Sequence, residues 1–247
     1  MIKIRGLKKR LGDKQVLDGV DLDVETGETI VVMGRSGTGK SVLLKHIIGL
    51  MVPDAGTIEV DGVEITGLGE VELNEIRKRF GMLFQGAALF DSMTVGENVG
   101  LPLREHLRLD DAEVRRRVTE RLDWVGLEGV EDMKPASLSG GMRKRVGLAR
   151  AIAMDPAFVL YDEPTTGLDP IMADVIDQLI RGLQKRLTVT SVVVTHDMTS
   201  AYKVGDRLAM LHEGKVVFTG TPEQARSTSD AMVRQFIEGS SEGPIQV

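Results

Sequence analysis

The chain of 247 residues contains no cysteine, which excludes disulfides and thiolate metal sites. It also lacks any run approaching the roughly 20 consecutive apolar residues that a helix needs to cross a bilayer. Its longest apolar stretches, Thr29–Met33 and Ser191–Thr195, have the length of buried strands. The opening residues, Met1-Ile2-Lys3-Ile4-Arg5-Gly6, have neither the apolar core nor the small-residue cleavage site of a signal peptide. Work at a membrane would therefore require a partner that holds the chain there. A net charge of −6 argues against a nucleic-acid binder held mainly by phosphate contacts. What remains is a globular balance, 42% hydrophobic and 28% charged, long enough for one large domain or a domain with a subdomain.

The first segment alternates as strands do, through Ile2, Ile4, Val16-Leu17, Val20, Leu22 and Val24, with turns at Gly12-Asp13 and Thr26-Gly27. Gly56–Val63 reads as a hairpin turning at Asp61-Gly62. Together these predict an antiparallel β layer near the N-terminus. Three apolar strands, Ile30–Met33, Phe158–Tyr161 and Val192–Val194, each run into a polar loop and alternate with helical segments. That pattern predicts a parallel sheet covered on both faces. From about 86 to 155 the chain is rich in helix formers, with a charged, solvated face over Glu113–Arg121 and the single tryptophan, Trp124, in the packing of a helical subdomain. Leu208–Leu211 and Val216–Thr219 form a closing hairpin around Glu213-Gly214-Lys215. The Gly/Ser/Pro-containing tail at 240–247 is expected to be flexible.

Gly34-Arg35-Ser36-Gly37-Thr38-Gly39-Lys40-Ser41 meets every requirement of the phosphate-binding loop, between an apolar strand and the apolar-periodic Val42, Leu43 and Ile47. Glycines let the backbone turn its N–H groups around phosphate oxygens, and the helix N-terminus adds partial positive charge. Lys40 is expected to reach the β- and γ-phosphates of a nucleotide and the Ser41 hydroxyl to ligate Mg²⁺; the motif does not by itself say which NTPase family this is. A ligand-free glycine turn is the plainer alternative, and the complete motif in its strand–helix setting weighs against it.

Phe158-Val159-Leu160-Tyr161-Asp162-Glu163 is an apolar strand ending in two acids. Asp162 is expected to hold Mg²⁺ and Glu163 to orient or deprotonate an attacking water. Without the phosphate loop, a polar cap on a buried strand would account for the pair equally well.

These elements, with those that follow in order, resemble the ABC-transporter ATPase family. Leu138-Ser139-Gly140-Gly141-Met142 is similar to its signature, normally LSGGQ, at the start of a helix with Met142, Val146, Ala149 and Ala153 on one face. The resemblance implies that Ser139, Gly140 and Gly141 bind the γ-phosphate held by a second copy. Gln85 resembles the glutamine that senses Mg²⁺ and water. Asp169, in Gly167-Leu168-Asp169, resembles the dimer-contacting loop, and His196 the switch histidine that meets the γ-phosphate. His46, His106 and His212 match no element and are read as structural or exposed. The fold implied is α/β: a P-loop NTPase ABC cassette with a RecA-like parallel-sheet core, the antiparallel β layer and the helical subdomain, within an ATPase domain at 1–239. Two positions depart from the family: Leu11 stands where an aromatic often stacks on adenine, and Met142 replaces glutamine.

Leu83–Val95, Asn98, Leu101–His106, the methionine of the signature and Val233–Gly239 with Gly243-Pro244 resemble the Mla-type ATPases of MCE-associated phospholipid transporters in double-membraned bacteria. This implies a peripheral subunit at the cytoplasmic face of the inner membrane. Its partners would be a second copy, an integral-membrane permease, an MCE-domain protein and a small STAS-domain subunit. Ala87, Ala88, Leu89 and Phe90 would line a socket for a permease helix, unless core packing claims some of them. A motor for another cargo, such as polar amino acids or lipopolysaccharide, and a soluble ABC ATPase without a permease are the alternatives.

Overall fold

The computed structural model describes residues 1–246. The chain divides into two compact units: Met1–Leu73 with the chain from Thr190 onward, and Asn74–Val189.

The first unit opens with β1 (Ile2–Leu11), β2 (Lys14–Val24), β3 (Thr29–Met33), α1 (Lys40–Ile47), β4 (Ala55–Val60) and β5 (Val63–Glu64). Helix α2 (Glu70–Arg77) carries the chain across the boundary. Strands β2-β1-β4-β5 form the antiparallel layer the alternation predicts, with Ile2, Ile4 and Leu7 of β1 fully buried. Ile2 lies opposite Val24 and Val60, and Ile4 opposite Leu22 and Ile58, so one apolar face is shared by three strands.

The second unit contains β6 (Phe80–Leu83), α3 (Val95–His106), α4 (Asp111–Trp124), α5 (Gly140–Ala151), β7 (Phe158–Asp162) and α6 (Pro170–Leu187). Strands β6 and β7 pair in parallel, and Phe80 stacks on Phe158 with ring centroids 4.8 Å apart. Helix α6 buries Ile176, Ile180 and Leu183, one face at helical spacing. The charged stretch on α4 is solvated only in part. Arg121 is buried, donates to Asp155 at 2.6 Å and lies 3.9 Å from the ring centre of Trp124, whose ring also meets Arg186 at 4.3 Å.

The chain returns to the first unit as β8 (Thr190–Thr195), α7 (Met198–Val204), β9 (Arg207–His212), β10 (Lys215–Gly220), α8 (Pro222–Ser227) and α9 (Ala231–Glu238). Strand β3 lies between β8 and β9, parallel to both, and β10 closes the predicted hairpin with β9. Every residue of β3 and β8 is buried, which explains their unbroken apolar reading. Each fully buried valine there contributes about 1.5–3 kcal/mol.

Residues 240–246, expected from composition to be flexible, make contacts with α9. Gln235 donates to the Ile245 carbonyl at 3.0 Å and accepts from the Ile245 amide at 2.7 Å, and the Ile245 side chain is 5% exposed. A single buried amide supplies the anchor that composition conceals.

Candidate active site

In the first unit, β3 runs into the phosphate loop and α1 leaves it. Gly34 passes so close to β9 that a Cβ there would stand 2.4 Å from the Leu211 carbonyl oxygen. Gly39 caps α1 in the left-handed region at φ 101°, where a side chain would be strained and would meet Val16 at 2.8 Å. The loop closes around its own lysine: Lys40, 6% exposed, donates to the carbonyls of Gly34 at 2.8 Å and Arg35 at 3.0 Å. Thr38 donates its hydroxyl to the Arg35 carbonyl at 2.9 Å. The first turn of α1 carries no acid, so the positive end of the helix is not offset locally.

Beside this loop lies a cavity of about 470 Å³, walled by Arg35–Thr38, by Lys14, Gln15 and Val16 of β2, and by His212, Glu213 and Gly214. His212, given no role from the sequence, is part of that wall. Leu11, at the position expected to meet adenine, is 42% exposed at the end of β1. A second cavity, of about 370 Å³, brings His196 together with Arg35 and Ser36 of the phosphate loop. His196 follows β8 directly, and Asp197 behind it caps α7 by accepting from the Thr199 amide at 2.8 Å. The tail borders both cavities, through Pro244 and Gln246 in the first and Ser240 and Ile245 in the second. Arg35 donates to the Gln246 carbonyl at 2.7 Å.

In the second unit, β7 delivers Asp162 and Glu163, each 7% exposed. Glu163 has φ 49°, a left-handed conformation uncommon outside glycine. It is held on several sides: its carboxylate accepts the Thr166 hydroxyl at 3.0 Å, and its carbonyl accepts from the Thr166 amide at 3.3 Å and from Lys144 Nζ at 3.0 Å. Lys144 also donates to the Gln85 carbonyl. Burial pushes the Lys144 ammonium below the ordinary lysine range, while Asp162 and Glu163 draw it back up.

Ser139 is the N-cap of α5 and accepts from the Met142 amide at 3.2 Å; Ser139 and Gly140 are exposed, whereas Gly141 packs where a Cβ would strike Met172 at 2.5 Å. Asp169 caps α6, accepting from the Ile171 and Met172 amides at 3.0 Å each. The segment after Gln85 is pinned by Arg150, which donates to the Ala87 carbonyl at 2.6 Å and the Ala88 carbonyl at 2.7 Å, and by Asn98, which accepts from the Phe90 amide at 2.8 Å. Of the four residues expected to line a socket, Ala87 is core at 1% exposure, while Phe90 is 50% exposed.

The structure therefore brings the phosphate loop and His196 together in the first unit, and Gln85, Asp162 and Glu163 around one lysine in the second. Lys144 and Arg150 were missed because they act on main-chain carbonyls, and Asn98, named only as part of the resemblance, holds the Phe90 amide. One signal was present for Lys144: it interrupts the buried stripe Gly141, Lys144, Leu148. Among the described residues, no cluster of three His, Asp or Glu side chains forms a metal site by itself.

The pattern of the ABC transporter family matches residues 17–166. Over 244 residues the chain is 44% identical to the probable ribonucleotide transport ATP-binding protein mkl of Mycobacterium leprae, covering 99% of this chain and 70% of that protein. It is 42% identical over 246 residues to the intermembrane phospholipid transport system ATP-binding protein MlaF of Haemophilus influenzae, covering 100% of this chain and 93% of the relative. A solved dimeric ATP-binding cassette in a post-hydrolysis state, bound to ADP and Pi, superposes with a TM-score of 0.84 at 36% identity, covering 90% of this chain and 99% of that one. The matched residues hold the phosphate loop, Gln85, the signature and the acidic pair. The chain belongs to the ABC transporter family and is an ATP-binding, ATP-hydrolysing subunit of it.

Proposed function

We propose that this subunit energises phospholipid movement between the membranes of a double-membraned bacterium. The observation that carries the cargo is the identity of 42% along the whole chain to a relative named for intermembrane phospholipid transport. In this reading Gly34–Ser41 holds the ATP phosphates, with Lys40 exchanging its loop carbonyls for β- and γ-phosphate oxygens. His196 meets the γ-phosphate. Glu163 orients the attacking water with Gln85, and Thr166 fixes the carboxylate it would use. The donors assigned to Mg²⁺ are all oxygens, the Ser41 hydroxyl, the Gln85 amide and the Asp162 carboxylate, which suits a hard cation that keeps several waters. Bound there, Mg²⁺ would neutralise charge developing on the transferred phosphoryl group.

A second copy completes each site. Ser139, Gly140 and Gly141 at the N-terminus of α5 meet the γ-phosphate that the other copy holds, and Asp169 stands at that contact. Support comes from the exposure of Ser139 and Gly140 and from the dimeric state of the superposing cassette. No helix among the described residues is long and apolar enough to cross a membrane. A permease is therefore the assigned anchor, at the cytoplasmic face of the inner membrane, with half-exposed Phe90 offered to its coupling helix. An MCE-domain protein and a STAS-domain subunit complete the proposed assembly.

The second reading is another cargo, favoured by the ribonucleotide named for the mycobacterial relative. Purification of the tagged chain from native membranes in mild detergent, with mass spectrometry of bound proteins and lipids, separates the two. A permease with an MCE-domain protein and phospholipid supports the first reading. A different permease without lipid overturns the cargo, and no membrane partner overturns the transport role.

A further inference from the structure

We propose that Lys144 is a positioning residue for ATP hydrolysis: its ammonium fixes the main chain at Gln85 and Glu163 together and ties both to the helix that Ser139 caps. The inference rests on the roles assigned above to Gln85 and Glu163.

Lys144 lies one turn into α5 and is 5% exposed. It donates to the Glu163 carbonyl at 3.0 Å and to the Gln85 carbonyl, so one cation bridges two loops that are far apart in the chain. An ammonium has three donors in a compact head, and two carbonyls from different loops are partners that a neutral apolar side chain could not hold. What the charge does is local. Glu163 stands at φ 49°, a sparsely populated conformation that persists only where its surroundings hold it. Lys144 and Thr166 both donate to its carbonyl.

The helix makes this more than a brace. Ser139 caps the exposed end of α5, and Lys144 is five residues further along the same rigid element. A shift of α5 as Ser139 engages phosphate moves the ammonium, and with it the carbonyls of Gln85 and Glu163. Engagement of the signature is thereby linked to the aim of the carboxylate. Displacements of about 1 Å are enough to lower turnover on the order of a hundredfold.

The test is Lys144→Met, Lys144→Gln and Lys144→Arg in the full-length chain, purified with its membrane partners, beside Glu163→Gln from the same preparation. ATP hydrolysis, equilibrium ATP binding and thermal midpoint are measured for each. Lys144→Met keeps the stem and removes the donors. It is expected to lower kcat about tenfold or more while KM and ATP affinity stay within about twofold; the two carbonyls left without their donor lower the thermal midpoint as well, without unfolding the chain. Lys144→Arg is expected to recover most of kcat. Wild-type kcat in folded Lys144→Met, or a loss matched by falling ATP affinity, overturns the proposal. If the methionine variant does not fold, Lys144→Gln decides by the same kcat-against-KM comparison. Should Glu163→Gln be inactive while Lys144→Met is fully active, the positioning role alone fails. Normal turnover by Glu163→Gln removes the site assignment on which the proposal stands.

Discussion

Replacing Gln235 by alanine should release the tail. The Gln235 side chain is 6% exposed and makes two short hydrogen bonds to Ile245, at 2.7 Å from its amide and 3.0 Å to its carbonyl; a longer one reaches the Ser240 carbonyl at 3.4 Å. At about 1 kcal/mol net for each short bond, their loss removes about 2 kcal/mol from the docked state, or roughly a 30-fold shift toward the open one. The assay is amide hydrogen exchange read by mass spectrometry over a peptide containing residues 240–246. Protection there should fall by about that factor, while peptides from β3 and β8 keep theirs. Gln235→Glu keeps an acceptor for the Ile245 amide but loses the donor and turns a buried carboxylate toward the Ile245 carbonyl, so its effect should be at least as large. Protection unchanged in Gln235→Ala would refute the anchoring. So would a uniform loss across the first unit, which would mean that Gln235 supports the unit and not the tail.

Glu163→Gln preserves an oxygen for the Thr166 hydroxyl and removes the charge and basicity. Steady-state phosphate release should fall about 10²–10⁴-fold while ATP binding persists and an ATP-bound dimer accumulates in size-exclusion chromatography. Lys40→Ala should abolish tight ATP binding in equilibrium titration, and the two carbonyl bonds it loses, one of them buried, both lie within its own motif. Ser139→Ala should cost about 1 kcal/mol of stability through the lost cap and lower turnover, yet leave ATP binding by the isolated chain intact, which fluorescence titration checks. His46 is buried at 1% exposure, with Nδ1 bonded at 2.7 Å to the Val42 carbonyl. Burial holds it below the usual histidine range, so the unfolded chain binds its proton first. Stability should fall as pH drops below about 6.5, and the thermal midpoint of His46→Phe should depend less on pH over that range.

The elements most legible in the sequence are those whose chemistry requires neighbouring residues. A phosphate cradle needs its glycines, lysine and hydroxyl in one short run, and an acidic pair must follow its strand directly. Gly34–Ser41, Asp162-Glu163 and Leu138–Met142 therefore announced themselves, as did the buried strands around them. The anchors did not. Lys144 bonds to carbonyls 59 residues before it and 19 after it, Arg150 to carbonyls 63 and 62 residues away, and a main-chain carbonyl leaves no mark in sequence. Composition likewise gives no sign of the bonds that Gln235 makes to Ile245 in the tail. Ala87 shows the converse limit: apolar residues read as a docking surface can be core, and only burial separates Ala87 from Phe90.

The central claim is that ATP hydrolysis at Glu163 drives phospholipid movement. The assembly purified from native membranes, reconstituted into vesicles carrying a labelled phospholipid, tests it by comparing lipid transfer with and without ATP. ATP-dependent transfer that disappears with Glu163→Gln is the expected result. Intact ATP hydrolysis without any lipid movement, or movement indifferent to Glu163→Gln, would contradict the account.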